Sequence, residues 1–202
     1  MPEMTTFPIF DLLRPVGSGD GIAAIERLGL GLATVMLRRG KSCEFVQHVK
    51  RRFGIEPADA PMRYGHDRIS FVGIGPGKWL AVFEAPTANF IEDLQLDFDG
   101  IASVADQSHA FGVLRLSGPA LLATLEKGVQ IDLSADAFPV GRAAATNIAH
   151  LGAHLWKVDD APTFDLAVAR SIAGSFCHWL EASAAVYGLA IQHRPLRSRR
   201  SP

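Results

Sequence analysis

The sequence predicts an α+β protein of two lobes, each an antiparallel sheet with helices on one face. Three observations predict it. Stretches that alternate every second residue, as strands do, recur between stretches whose apolar positions fall three or four apart, as on helices. Glycine and proline punctuate the changeovers, at Gly40, Gly54, Gly75-Pro76-Gly77, Pro86, Gly118-Pro119 and Gly188. Finally, 48% of the 202 residues are apolar and 20% charged, which supplies a core without disulfide or metal and excludes a disordered chain.

Taken in order, residues 1–28 form an N-terminal extension. Gly29 to Arg39 alternates as a strand, and Gly40, Lys41 and Ser42 turn the chain. Phe45, Val46, Val49 and Phe53 then line one side of a helix whose other side carries Glu44, His48, Lys50 and Arg51, and Gly54 suits its C′ position. After the Pro57–Pro61 loop, Ile69 to Ile74 and Lys78 to Glu84 read as a hairpin around Gly75-Pro76-Gly77. Pro86 opens a helix containing Phe90, Ile91 and Leu94, and Ile101 to Ala105 is a strand. The order βαββαβ over residues 29–105 is that of a ferredoxin-like lobe.

Residues 106–192 read as a second such lobe. Phe111 to Ser117 alternates strictly, and Leu121, Leu122 and Leu125 follow Gly118-Pro119 on a helix that stops before Gly128. Three strands follow the Phe138-Pro139 loop: Ala144 to His150, Ala153 to Val158 and Phe164 to Ala169. Ser171 caps a last helix with Ile172, Phe176, Trp179, Leu180 and Tyr187 on one stripe. No Pro/Gly/Ser-rich spacer separates the lobes, which argues against flexibly tethered modules.

The net charge of −1 conceals an asymmetry. His193 to Pro202 hold four arginines and no acid, so residues 1–192 carry 16 basic and 21 acidic side chains, a net of −5. A short, disordered basic tail on an acidic body lacks the basic face that phosphate binding needs, so nucleic acid is not the expected partner. No apolar run approaches the ~20 residues of a membrane span, and the first residues lack a basic n-region, so the expected compartment is the cytoplasm. There, Cys43 and Cys177 are expected as buried, reduced thiols.

Several segments resemble chemistry and fail its geometric requirements. Gly73 to Lys78 has the glycines and lysine of a phosphate loop, but Val72 stands where the first glycine belongs, Trp79 replaces Ser/Thr, and a strand follows. No strand, glycine-rich turn and helix form a dinucleotide fingerprint. His150 and His154 flank a hairpin read at Gly152, and on a strand four residues span ~13 Å, too far for a shared zinc. Asp106, Ser108 and His109 supply the residue types of a triad, but neighbours in sequence cannot form the relay; Asp106 and Ser108 read as turn residues bonding backbone amides. Cys177 and His178 point about 100° apart on a helix. Trp79, Trp156 and Trp179 read as core.

A set of motifs in fixed order carries a resemblance. Gly75-Pro-Gly-Lys-Trp-Leu80, Val104-Ala-Asp-Gln-Ser-His109, Leu114-Arg-Leu-Ser-Gly-Pro119, Gly128-Val-Gln-Ile-Asp-Leu133, Phe138-Pro-Val-Gly141, Thr146 with Ala149-His150, Phe164-Asp-Leu166, and Arg170-Ser171 before Phe176-Cys-His-Trp-Leu180 together resemble the gamma subunit of heterotetrameric sarcosine oxidase. The similarity is strong over residues 70–190. Through Asp106-x-Ser108-His109 and Ser117-Gly-Pro119 the chain is more distantly similar to the aminomethyltransferase of the glycine cleavage system and other folate-binding modules. The family carries Trp where this chain has Cys177.

The resemblance implies an aminomethyltransferase-like fold, close to the N-terminal part of that enzyme, and a place in a four-subunit flavoenzyme. That complex demethylates sarcosine oxidatively to glycine and hydrogen peroxide and passes the one-carbon unit to tetrahydrofolate. It implies alpha, beta and delta subunits as partners, chiefly alpha, with FAD, FMN, NAD and tetrahydrofolate on the other subunits and no catalytic or cofactor-binding residue on this one. Asp106, Ser108 and His109 are then a functional or interface-facing turn. The competing reading is a stand-alone folate-binding one-carbon transfer protein, from which this chain differs by lacking a further barrel domain. A third, a nucleic-acid accessory protein, rests on the arginine tail alone. Isolated, the subunit is expected to self-associate through an exposed apolar partner face.

Overall fold

The computed structural model describes residues 8–66 and 68–192. Its strands form two sheets. The first has five strands: β2 (Gly31–Leu37), β3 (Arg63–Gly65), β4 (Ile69–Gly75), β5 (Lys78–Phe83) and β6 (Ala102–Asp106), in the order β3-β4-β5-β2-β6, all antiparallel. Without the short edge strand β3, this is the ferredoxin-like order that βαββαβ implies.

Two helices cover one face of this sheet. Helix α1 (Ser42–Phe53) buries Phe45 and Val49, and α2 (Phe90–Asp97) buries Phe90 and Leu94. Because strand side chains alternate, Ala33, Val35, Phe71, Trp79 and Ala81 point at these helices and share a core with Phe45, Leu94 and Phe98. The Phe45 ring lies 4.7 Å from Trp79 and stacks on it. Gly54 ends α1 in the left-handed conformation, φ 70°, and its amide donates to the Lys50 carbonyl.

The second sheet has six strands: β1 (Ile22–Glu26), β7 (Phe111–Ser117), β8 (Ala143–Ile148), β9 (Leu151–Lys157), β10 (Phe164–Ala169) and β11 (Leu189–Ile191), in the order β11-β1-β7-β10-β9-β8. Helices α3 (Leu121–Leu125) and α4 (Ala173–Ala184) cover its outer face over Leu114, Leu116, Leu155, Phe164 and Leu166. Here the topology departs from the ferredoxin-like order. Strands β8, β9 and β10 form a meander, β10 separates β7 from β9, and the β1–β11 pair is parallel.

Residues 22–26, read from the sequence as part of an extension, are thus an interior strand of this sheet. Their apolar side chains and the alternation of Ile22 and Ala24 are spent on burial between β7 and β11, and Phe10 and Leu13 pack into the same core. The chain passes between sheets at 107–110, after β6 ends. The basic tail, 193–202, lies outside the described residues.

The inner faces of the two sheets pack on each other. Leu30, Leu32, Val72, Leu80 and Val82 from the first meet Val113, Trp156 and Ala167 from the second. The layers are therefore helix, sheet, sheet, helix, with a third core in the middle. Backbone bonds stitch the seam at one edge: Arg63 N donates to Gly141 O at 2.6 Å, and Ala143 N to Pro61 O at 2.8 Å.

Candidate functional site

The turn singled out in the sequence joins the two sheets. Asp106 ends β6, and its Oδ1 accepts from the Ser108 amide at 2.8 Å, an Asx turn. Ser108 Oγ accepts from Leu32 N at 3.0 Å and donates to Leu32 O at 3.3 Å, so it closes onto the first residues of β2. His109 is exposed, and its carbonyl accepts from Arg170 Nε at 3.1 Å. The turn thereby ties β6, β2 and the 3-10 turn Arg170–Ile172 together. Among the described residues no hydrogen bond links Ser108 Oγ to His109, and the hydroxyl is already committed to backbone.

Beside this turn lies a cavity of about 20 Å³, bordered by Glu26, Arg27, Leu32, Ser108, Phe111 and Arg170. A water fills such a volume; a pteridine ring does not. The space beside this turn therefore does not fit a tetrahydrofolate. Above it, Glu26 accepts from Ile9 N at 2.7 Å, yet burial of the carboxylate outweighs those amide bonds and raises its pKa.

A larger cleft, about 490 Å³, opens on the far side of the first sheet between α1, α2 and the β3–β4 hairpin. Phe53, Phe83 and Phe90 give it apolar walls, with His66, Arg68 and Asp97 at its polar margin. Arg52 Nε donates to Asp97 Oδ2 at 3.0 Å across one margin, which fixes α1 against α2.

Between the sheets sits a charged network for which sequence reasoning had no signal, because its members are far apart in the chain. Asp165, 1% exposed on β10, accepts from Arg115 Nε at 2.7 Å, from Arg115 Nη2 at 2.8 Å and from Arg27 Nη1 at 2.7 Å. The second amine of Arg27 donates to Glu84 at 2.6 Å. The Asp165 pair raises the pKa of Arg115. Arg63 shares the seam, and burial lowers the pKa of its guanidinium.

The remaining sequence candidates resolve as structure. His150 stands in the β8–β9 turn at φ 70°, beside Ala149 at φ 49°, so the hairpin turns there and Gly152 lies within β9. His154, on β9, faces Phe111 at 5.6 Å, and its Nδ1 is buried without a partner. Among the described residues no three His, Cys, Asp or Glu side chains gather as metal ligands. Trp79 and Trp156 are buried in the helix-side and inter-sheet cores, and Trp179 packs beside Phe176. Cys177 is buried, its thiol pushed up to about 11 by burial, whereas Cys43, expected to be buried, is exposed at the start of α1. Gly73 of the apparent phosphate loop is required by packing: a Cβ there would stand 2.1 Å from the Ala60 carbonyl oxygen. Among the described residues no helix is long and apolar enough to cross a membrane.

Solved structures share the fold of this chain. Its fold is similar to a chain of heterotetrameric sarcosine oxidase from Corynebacterium sp. U-96, solved in complex with pyrrole 2-carboxylate, with a TM-score of 0.74 at 21% identity over 89% of this chain and 90% of that one. It is also similar to glycine cleavage system aminomethyltransferase T from Bartonella henselae, with a TM-score of 0.58 at 11% identity, covering 87% of this chain and 48% of that one. No curated protein matches in sequence. The model of the sarcosine oxidase, gamma subunit family matches residues 42–186, which include all four helices and strands of both sheets but not β1, β2 or β11. The chain belongs to the sarcosine oxidase gamma subunit family.

Proposed function

We propose that this chain is the small, flavin-free subunit of a heterotetrameric sarcosine oxidase, a complex that demethylates sarcosine oxidatively to glycine and delivers the one-carbon unit to tetrahydrofolate. The observation that carries the reading is the end-to-end likeness to a chain of such an oxidase, 89% of one and 90% of the other, together with membership of the gamma subunit family. Its partners are the alpha, beta and delta subunits, chiefly alpha. FAD, FMN, NAD and tetrahydrofolate sit on those subunits, and this chain supports the alpha subunit and helps wall the cavity through which the reactive one-carbon intermediate travels. Enclosure of that kind keeps a hydrolysable intermediate from water. The turn Asp106, Ser108 and His109 then serves as a rigid corner of the subunit, and the assembly works in the cytoplasm, where Cys43 stays reduced.

Co-expression with the three partner chains tests this. A stable four-chain complex with sarcosine oxidase activity is expected, while the chain purified alone is colourless, inactive and prone to self-association. An isolated chain that is yellow and bleached by sarcosine overturns the proposal. The likeness to the aminomethyltransferase motivates titrating the isolated chain with tetrahydrofolate as well; micromolar binding would favour a stand-alone folate protein instead.

A further inference from the structure

A sheet that does not close on itself has two edge strands, each turning a row of amides and carbonyls outward. Of the four edges of these two sheets, three are met by the chain itself. Val16 lies along β11 and exchanges bonds with Leu189 at 3.0 and 2.7 Å. Pro61 holds β8 at Ala143, Gly128 holds it at Ala149, and Gly141 holds β3 at Arg63. The fourth edge, β6, is open among the described residues.

The ladder on its inner side fixes which groups point out. Gln107 N donates to Leu32 O at 2.8 Å and Arg38 N to Ile101 O at 3.0 Å, so the odd-numbered residues from 101 to 107 bond β2, and Ala102, Val104 and Asp106 turn their backbone away from it. Ala102 N donates to Phe98 O at 3.0 Å, and Val104 O accepts from Gln95 Nε2 at 3.3 Å. Val104 N, Asp106 N, Ala102 O and Asp106 O have no bond among the described residues. The usual guards of an edge are missing. Residues 102–105 carry neither charge nor proline, their pairing with β2 has no bulge, and Ser103 and Ala105 are exposed. Met36, opposite Ser103 on β2, is 44% exposed and extends the bare surface.

We propose that β6 docks a second copy of this chain, strand against strand about a two-fold axis at Val104, so that two five-stranded sheets become one. The free groups are self-complementary in that register, as a two-fold contact requires. With the two Val104 residues opposite each other, each Val104 amide meets the other copy's Val104 carbonyl, whose second lone pair is open beside Gln95, and each Asp106 amide meets the other copy's Ala102 carbonyl. Ser103 then faces Ala105, two small side chains that let the backbones approach. The charges at the ends fit as well. Asp106, the one charged residue of β6, arrives beside Ala102, where Arg38 and Arg39 outnumber the unpaired acid Asp99, while Lys41 is paired with Glu44 and Arg52 with Asp97. One strand pair is small beside a permanent interface, so the dimer is weak, half-formed at about 10–100 μM. The proposal concerns the chain alone and stands whether or not the subunit assignment does.

Sedimentation equilibrium of the full chain tests this, with a urea transition for each variant to show that it is folded. Val104→Pro removes the central donor and leaves the β2 ladder intact, because that amide points away from β2. Ser103→Lys with Ala105→Lys sets lysine opposite lysine across the two-fold pair. Each change is expected to weaken the dimer about tenfold or more. Mixing the lysine pair with a chain carrying Ser103→Glu and Ala105→Glu is expected to restore association as a heterodimer, which a misfolded variant could not do. The proposal is overturned if the wild-type chain stays monomeric up to about 1 mM, if its dimer survives both changes, or if the lysine and glutamate chains fail to pair. It is overturned too if the wild type is monomeric alone but the lysine pair blocks assembly with co-expressed partner chains; the edge then belongs to a partner's strand. Failure of the wild type to bind any partner chain overturns the subunit assignment and leaves this dimer to be decided by sedimentation.

Discussion

Asp165 anchors the charged network on the second sheet, because its two oxygens hold Arg115 of β7 and Arg27 beyond β1, and Arg27 reaches from there to Glu84 of the first sheet. Replacing it by Asn preserves shape but removes the charge that makes Arg27 and Arg115 tolerable there. Asp165→Asn is expected to lose about 3–5 kcal/mol, read as a lower urea midpoint at unchanged slope, since breaking a buried pair strands its partners. His154 gives the seam a pH dependence. Its pKa is lowered by burial, so below the ordinary imidazole value the unfolded chain takes a proton that the folded chain refuses. The unfolded state then binds more protons, and stability rises with pH across that window: full above about pH 6.5, it is lost as pH falls toward the lowered folded value. Asp106, Glu84 and Asp165 reach neither ring nitrogen, whose Nδ1 is buried without a partner, and Phe111 packs on the ring. His154→Leu should flatten the urea midpoint between about pH 7 and about pH 5 relative to wild type; a parallel profile would remove His154 from the account. Neither effect could be read from the sequence, because both arise from what a distant strand brings to the same layer.

Among the elements, the β8–β9 hairpin is the one held against its local preference. Both central residues of this two-residue turn, Ala149 and His150, have positive φ, as in a type I′ turn, a conformation that glycine and asparagine adopt more readily than alanine and histidine. Substituting Asn at 149 and Gly at 150 together is expected to stabilise the chain by about 1–2 kcal/mol, raising the urea midpoint, provided assembly with partners does not use the His150 side chain. A stabilised double variant that no longer assembles would mark this strained turn as an interface element. The turn also shows where sequence reading falls short. Gly152 looks like the turning residue because glycine is the ordinary signal, yet pairing of Thr146 with Ala153 and of Asn147 with Gly152 fixes the register two residues earlier. Elements with strong period and clear stops were legible: β2, α1, the β4–β5 hairpin, β7 and β10 fall where alternation and glycine place them. The strands β1, β3 and β11 were not, being three to five residues long and stabilised by partners remote in sequence. The candidate turn at Asp106 to His109 was legible as an Asx turn, whereas its anchoring of Ser108 to Leu32 was not, for the same reason.

At the scale of the whole molecule, the path of the chain explains how two sheets behave as one body. β1 pairs antiparallel with β7, Glu26 opposite Leu114, and Arg27 N donates to Val113 O, so residues 28 and 112 are neighbours. The first lobe is therefore an insertion of residues 29–106 into what would otherwise be a β1–β7 hairpin of the second. This makes the lobes unequal as folding units. Residues 107–192 alone lack β1, which leaves β7 unpaired on one side, removes the partner of β11, and strips Ile22 and Ala24 from the α3–α4 core. That fragment is expected to show no cooperative urea transition. Joining residues 8–28 to residues 110–192 through a two-residue Asn-Gly turn restores the hairpin geometry and should restore a cooperative transition. Its midpoint should lie below that of the full chain, because Val113, Trp156 and Ala167 then lose the first sheet that covers them. The same exposed face should make this joined fragment self-associate at concentrations where the full chain stays dispersed, which sedimentation would read directly. If residues 107–192 fold cooperatively without β1, the insertion picture is wrong and the N-terminal segment is an accessory strand; if the joined fragment also fails to fold, the inter-sheet core of Trp156 and its neighbours is what makes the second sheet stable at all.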